Sequence, residues 1–475
     1  MQKNRPVGWL SGAVVCGLSA VALGQTASAP NPQQMAAEIQ SLKAQVAQLR
    51  ADQGDHWLNQ RRAEEVKTLV RQVLSDADTR ASLASNGMTA GYNGQNFFLA
   101  SDDDSFLMNI SGQMQIRYIA NFRSNDQPSP NVGSVENESG FEIRRAKVFF
   151  DGHIGDPRII YKVAFVLDRK SDYFYAEDAW VGYKVTDGLT VTAGQFQDRF
   201  AREAWMSSKM SQTVDRSAVD NIFANNDNWV QGVALDWNAT DFLHLGGSIN
   251  DGIGSGGNPN VPGSSNSFNF NSDHVEYGLS GRADVKLAGD YKNESDVEAW
   301  SNIDGLQAFV GGGLHYEHAK PGNPGTVYAI PGGYDALTIW TADALLKYQG
   351  LGVMATGFGL YTNGATSAGS SSNYGATVQA GYMVIPDVLE PFARYEYIAP
   401  DHGIPGTNDI HIVTAGFNWF LHKHAAKFTL DAVCVLNNLN SASVLGTGLD
   451  GIGLLTDDPG KTDQVALRAQ FQLLF

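Results

Sequence analysis

The sequence predicts an all-β protein: a 16-stranded antiparallel transmembrane β-barrel behind an N-terminal periplasmic helix or coiled coil. Three observations carry this expectation. Runs of alternating apolar and polar residues recur along residues 106–475, and a strand sends alternate side chains to opposite faces. The connections between the runs sort by length, short and long in turn. No stretch of about 18 apolar residues follows the N-terminus, which excludes spanning helices; a mean hydropathy of −0.22 suits a wall in which only every second residue meets lipid.

The last run is the plainest. Val465, Leu467, Ala469, Phe471, Leu473 and Phe475 share one parity, and Gln464, Arg468, Gln470 and Gln472 the other. A soluble sandwich strand alternates in the same way, so this run alone does not decide for a membrane. The connections do. Gly155-Asp156-Pro157, Thr186-Asp187-Gly188, Asn238-Ala239-Thr240, Gly350, Pro386-Asp387 and His422-Lys423-His424 are short and follow even-numbered runs, with one longer exception at residues 290–307. Residues 123–140, 201–228, 251–274, 320–335, 362–372 and 437–463 are long and follow odd-numbered runs. Tight turns on one rim and long loops on the other are the outer-membrane pattern. The sixteen runs start near Phe106, Phe141, Ile159, Tyr175, Leu189, Trp229, Phe242, Val275, Ala308, Leu337, Leu351, Asn373, Leu389, Ile410, Ala425 and Gln464.

Ahead of the barrel, residues 1–29 read as a signal peptide. Lys3 and Arg5 precede an apolar core from Trp9 to Leu23, and Ala27-Ser28-Ala29 fits a cleavage site, with Gly24 as a second one. Its removal leaves Cys434 as the one cysteine, so no disulfide forms within the mature chain. Residues 30–84 read as helical. Met35, Ile39, Leu42, Val46 and Leu49 make an a/d stripe that suits a short coiled coil; a lone amphipathic helix is the alternative, because so few heptads are marginal in isolation. Residues 85–105, Gly- and Asn-rich at their start, read as a linker.

Parity also assigns the lumen. Arg117, Arg145, Lys147, Lys162, Arg282, Arg394 and Glu396 fall on the polar side, as do Asp168, Asp178, Asp236, Asp284, Asp343 and Asp431. Arg144 falls on the lipid side, where an arginine is costly unless it sits at the rim or a bulge turns it inward. Lumen acids and bases nearly match, and pairs such as Arg282/Asp284 and Arg394/Glu396 lie two apart on one strand. Ion-pair networks that stiffen the wall are the plain expectation; a transverse field of charge across a constriction is the sharper one.

Several segments together resemble a known family: Ile110-Ser111-Gly112-Gln113, Phe141-Glu142-Ile143-Arg144-Arg145-Ala146-Lys147, Asp178-Ala179-Trp180-Val181-Gly182-Tyr183, Gly194-Gln195-Phe196 and Glu390-Pro391-Phe392-Ala393-Arg394-Tyr395. They are similar to the phosphate-selective porin O and P family, outer-membrane porins. The resemblance implies a sixteen-stranded, trimeric diffusion channel whose anion-selective members line the pore with arginines and lysines. It also implies a constriction-type loop at residues 201–228, which here carries Arg202, Glu203, Lys209 and Arg216, together with Asp215, Asp220 and Asp227. The acidic balance of this chain, 50 acids against 33 bases, departs from a strongly phosphate-preferring member.

The expected function is therefore an outer-membrane porin, a water-filled channel for passive diffusion of small hydrophilic solutes and ions, with anions such as phosphate among them. The alternative is a structural protein that tethers the outer membrane to the cell wall through its N-terminal helix. The partners expected are outer-membrane lipid, two further copies in a homotrimer, small solutes or ions and, on the second reading, the cell wall. A net charge of −17 argues against nucleic acid. No catalytic motif occurs, so no enzyme and no cofactor are expected. His422 and His424 are too few for a structural metal site. The location expected is the outer membrane of a Gram-negative-type cell after signal cleavage, with the N-terminal segment periplasmic.

Overall fold

Each alternating run folds as a strand whose polar parity turns inward, and pairing of consecutive strands carries the chain round until the last meets the first. In the computed structural model, the residues described are 87–123, 137–167, 174–224, 229–253, 275–321, 333–364, 369–403, 407–437, 439, 449–455 and 464–475, together with 37, 40–45, 47 and 48. The chain divides into two units, residues 1–82 and 83–475. In the first, the described residues are helical and exposed, Leu42 among them. Met35, Ile39, Val46 and Leu49 of the expected coiled-coil stripe lie outside the described residues, as does the expected signal peptide.

The second unit is all-β. A hairpin, β1 (Met88–Tyr92) and β2 (Phe97–Ser101), comes first. The barrel follows: β3 (Phe106–Arg123), β4 (Asn137–Ile154), β5 (Asp156–Leu167), β6 (Phe174–Thr186), β7 (Leu189–Gln197), β8 (Trp229–Asn238), β9 (Leu243–Asn250), β10 (Val275–Ala288), β11 (Gln307–Ala319), β12 (Tyr334–Tyr348), β13 (Leu351–Gly364), β14 (Ser370–Tyr382), β15 (Leu389–Ala399), β16 (Ile410–His422), β17 (Ala426–Val435) and β18 (Gln464–Leu474). Consecutive strands pair antiparallel, and β18 pairs with β3 from Gln464↔Arg123 to Leu474↔Gln113. That pairing closes the sixteen strands into a barrel. Closure leaves no open edge, the condition for crossing lipid with strands.

One expectation needs correction. The segment expected as a linker, residues 85–105, carries the β1–β2 hairpin, with Met88↔Ser101 through Tyr92↔Phe97 in register. Its Asn93-Gly94-Gln95 tip is a turn, with Gly94 at a φ of 93° and the Asn93 side chain accepting from the Gln95 and Asn96 backbone. The Gly/Asn content marked that turn, not a linker. β2 then pairs with the start of β3, Phe97↔Ile110 to Ala100↔Leu107, below the reach of β18.

Inside and outside divide as the alternation requires. In β3, Gln113, Gln115, Arg117 and Asn121 are buried, and Met114, Ile116, Tyr118 and Phe122 are exposed. In β18, Gln464, Arg468, Gln470 and Gln472 are buried against exposed Leu467, Phe471 and Leu473. An apolar exterior with a polar interior inverts a water-soluble protein and suits a wall bathed in lipid.

Candidate functional site

The site is built by the connection after β7. Among its described residues it does not stay at the rim. It turns into the barrel through α1 (Arg202–Trp205), a 3-10 turn at Ser208–Met210 and α2 (Ala218–Phe223), and nearly all of it is buried. Ser217 caps α2 by accepting from the Asp220 backbone, and its own N–H and hydroxyl donate to Glu203 at 2.8 and 2.6 Å.

Anchors from opposite walls hold this loop. Arg202 pairs with Asp284 of β10 at 2.8 Å and with Asp343 of β12. Gln212 donates to Glu390 of β15, and the Val214 and Val219 backbone N–H groups donate to Asp431 of β17 and Glu396 of β15. Lys427 and Gln472 donate to the Ser211 and Lys209 carbonyls. Phe223 stacks on Phe358 of β13, with centroids 5.6 Å apart. Gly375 of β14 leaves the space this needs: a Cβ there would stand 2.9 Å from Val219 and press on the Phe223 ring.

Asp215 is the loop's electrostatic anchor. Its carboxylate accepts from Arg117 at 3.1 Å, Arg144 at 2.7 Å and Arg145 at 3.0 Å. Burial alone would raise this carboxyl, but the three guanidiniums hold it well below the usual carboxylate range. Arg144 reaches it through a bulge. The β3–β4 register slips between Gln115↔Arg145 and Ile116↔Ile143, so Arg144 is the extra residue and turns inward beside Arg145. A second bulge repeats the device in β6, where Ala164↔Asp178 is followed by Phe165↔Ala176 and sends both Glu177 and Asp178 inside.

The loop leaves room on one side. Between it and the wall from β4 to β10 lies a cavity of about 320 Å³. Lys147, Lys162, Arg199 and Arg216 line it against Glu177, Asp178, Asp198 and Asp236, four bases to four acids. Phe149, Trp180, Trp205 and Trp229 supply flat apolar surface. Lys147 donates to Glu177 at 2.7 Å, Lys162 pairs with Asp178 at 2.8 Å, and Arg199 pairs with Asp236 at 3.0 Å while lying 3.9 Å over the Trp205 ring. Lys209 sits 3.7 Å over Phe149; burial, with Lys162 and Lys147 nearby, lowers its ammonium to about 8.

The residues expected to face the lumen fall into separate groups. Lys147, Lys162 and Arg216 line the cavity. Arg117, Arg145, Arg202 and Glu203 are sealed in the loop's anchorage, as are Arg394 and Glu396, paired at 2.9 Å. Arg282 pairs with Asp284 at 2.6 Å and Asp343 at 2.8 Å. Arg117, Arg145, Lys147 and Lys162 do not form one open positive patch, because carboxylates stand between them. Sequence reasoning missed Glu177, hidden by its bulge, and Arg199 and Trp205, for which no strand parity exists. Trp229 also lines the cavity, with Lys147 5.4 Å over its ring.

Residues 115–288 match the family model of phosphate-selective porin O and P. That segment runs from β3 to the end of β10 and contains both the loop and the cavity wall. No curated protein sequence matches the chain. Among solved structures it is similar to the high-pH structure of Pseudomonas putida OprB, with 12% identity, a TM-score of 0.49, and 84% of this chain and 96% of that chain covered. It is likewise similar to an anion-selective porin from Comamonas acidovorans (12%, TM-score 0.49, 78% and 99% covered) and to the outer membrane channel DcaP of Acinetobacter baumannii (13%, TM-score 0.47, 77% and 97% covered).

Proposed function

We propose that this chain, which carries the sequence pattern of the phosphate-selective porin O and P family over residues 115–288, forms an outer-membrane channel for passive diffusion of small hydrophilic solutes and ions. The observation that carries the reading is the loop that folds into the lumen and leaves a cavity between itself and the wall from β4 to β10. A cavity of about 320 Å³ beside it is the size of a small-molecule site, not of a macromolecular passage. Its lining is ionic with aromatic patches, which suits hydrated solutes in transit.

The charge pattern supports at most a weak anion preference. Four lining bases face four lining acids, and Lys209 adds one positive charge nearby. A strong phosphate preference would need bases left free of carboxylates, whereas Lys147, Lys162 and Arg199 are each paired. Assembly as a homotrimer, helped by helical contacts ahead of the barrel, belongs to the same proposal; unheated gel migration of the protein, with and without Leu42→Asp, tests it. The channel itself is tested by conductance in planar bilayers. Stepwise ohmic currents with a reversal potential near zero in a salt gradient are expected. Absence of steps would overturn the channel, and strong block of chloride current by phosphate would overturn the weak preference.

A further inference from the structure

The connection between β10 and β11, residues 289–306, is the long exception on the short-turn rim, and it is not a free loop. Val297 and Glu298 are fully buried, and Trp300 packs edge-on against Phe420 and His424 at centroid distances of 4.8 and 5.2 Å. Gly352 of β13 is bare where the Val297 carbonyl lies, and a Cβ there would run into that oxygen. Ser301 donates to Asp387 in the β14–β15 turn, and Lys423 in the β16–β17 turn donates to Asn302 at 2.8 Å. The segment therefore ties the start of β13 to the β14–β15 and β16–β17 turns.

At its centre three ligand-type side chains converge. His424 Nε2 lies 3.3 Å from Asp296 Oδ2 and 3.4 Å from Glu298 Oε2. Around a tetrahedral Zn²⁺, with ligand bonds of about 2.0–2.2 Å, neighbouring donor atoms stand roughly 3.3–3.5 Å apart. The observed separations already match that edge. A second observation points the same way. Glu298 has no exposed surface, yet its Oε1 has no hydrogen-bond partner. A buried carboxylate oxygen left unpaired is costly, and a cation held by the same carboxylate, or a water on that cation, would satisfy it.

The surroundings resemble the support a metal site needs. Trp300 Nε1 donates to Asp296 Oδ2 at 2.7 Å and orients that carboxylate. Lys347 pairs with Asp296 through its other oxygen, leaving Oδ2 toward His424. Lys427 and Glu390 close the far side, but Lys427 donates to the Ser211 carbonyl and Glu390 accepts from Gln212 and Asn418. The two lysines weaken the field for a dication without occupying the His424 nitrogen. Asp296 and His424 retain slight side-chain exposure.

We infer that Asp296, Glu298 and His424 form a three-ligand site for Zn²⁺, with the fourth position open to water, that staples the 289–306 segment to the β16–β17 turn. Neither histidine spacing nor acidic clustering revealed it in the sequence, because the carboxylates lie about 130 positions from the histidine, a separation that the barrel alone closes.

The test uses the full chain folded in detergent, loaded with Zn²⁺ at pH 7.5, freed of loose metal by gel filtration and assayed for zinc by mass spectrometry. The parent is expected to keep one zinc per chain. His424→Gln and Glu298→Gln are expected to lose it, and His422→Gln, two residues away on the exposed turn, to keep it. Co²⁺ in place of Zn²⁺ should give the intense visible bands of a tetrahedral site in the parent and not in Glu298→Gln. Should His424→Gln fail to fold, the parent's zinc content and its cobalt spectrum still decide. No retained zinc in the parent, an octahedral cobalt spectrum, or equal retention in Glu298→Gln would each overturn the assignment, leaving a histidine–carboxylate ion pair in its place.

Discussion

Arg144 Nε lies 2.7 Å from the Asp215 carboxylate, although strict alternation through Arg145 would point Arg144 at lipid. One extra residue in β4 thus turns an arginine that would be expensive outside into an anchor for the lumen loop. Removing Asp215 leaves three guanidiniums facing one another in a buried place. Asp215→Ala is expected to cost about 3–5 kcal/mol, the range for breaking a buried ion pair from one side. Thermal or denaturant unfolding measures this, and open-channel current noise should rise as the loop loosens. A loss below 1 kcal/mol would show the anchor to be redundant.

The same pairing sets acid behaviour. Asp215 titrates well below its ordinary value in the folded protein, so its contribution is complete above the unfolded carboxyl value of 3.8. It is lost only as pH falls through the lower folded value. Single-channel conductance and noise should stay constant from neutral pH down to 4, with loosening confined below that. Loosening that begins near pH 5 would contradict the assignment.

Selectivity should respond to Lys162 more than to Arg145. Lys162 lines the cavity with its side chain 33% exposed, whereas Arg145 is 4% exposed beneath Asp215. Lys162→Met is expected to move the reversal potential toward cations. The shift should grow at low salt, because the screening length rises from about 8 Å at physiological ionic strength to about 30 Å at 0.01 M. A larger shift in Arg145→Met would place the solute path elsewhere.

Lys209 gives the cavity a pH dependence near neutrality. Its ammonium, lowered to about 8, is charged at pH 7 and largely neutral at pH 9. Anion permeability relative to cation permeability should therefore fall between pH 7 and 9, and Lys209→Met should flatten that change. An unaltered slope in the variant would assign the titration to another group.

Gly375 offers a steric test. Gly375→Val pushes on Val219 and Phe223 and should displace α2 from the wall. Overpacking of this kind costs about 1–3 kcal/mol. A lower unfolding temperature with altered conductance is expected; parental conductance with parental stability would show that the wall yields instead.

The alternation was legible because the inside and outside of this wall differ in solvent. All sixteen barrel strands begin within about four residues of the positions read from alternation. What alternation could not carry was any place where two consecutive side chains share a face. Arg144 and Arg145, and Glu177 and Asp178, are such places. Nor could it reach a loop folded inward, where Arg199 and Trp205 meet, or a contact such as Asp296 with His424. The short β1–β2 hairpin was lost for a simpler reason: five-residue strands lie close to the length of chance patterns.

The hairpin has a bearing on how the wall comes together. The edge of β3 is covered in two parts: β18 and Phe475 take Gly112 to Arg123, while β2 takes Leu107 to Ile110. Without β2, a stretch of bare amides and carbonyls would be exposed at the seam where the ring shuts. Such an edge recruits any extended peptide, including another nascent copy. The hairpin, made from neighbouring sequence, closes the four-residue stretch that β18 is too short to reach, so a local element completes what the long-range closure leaves open.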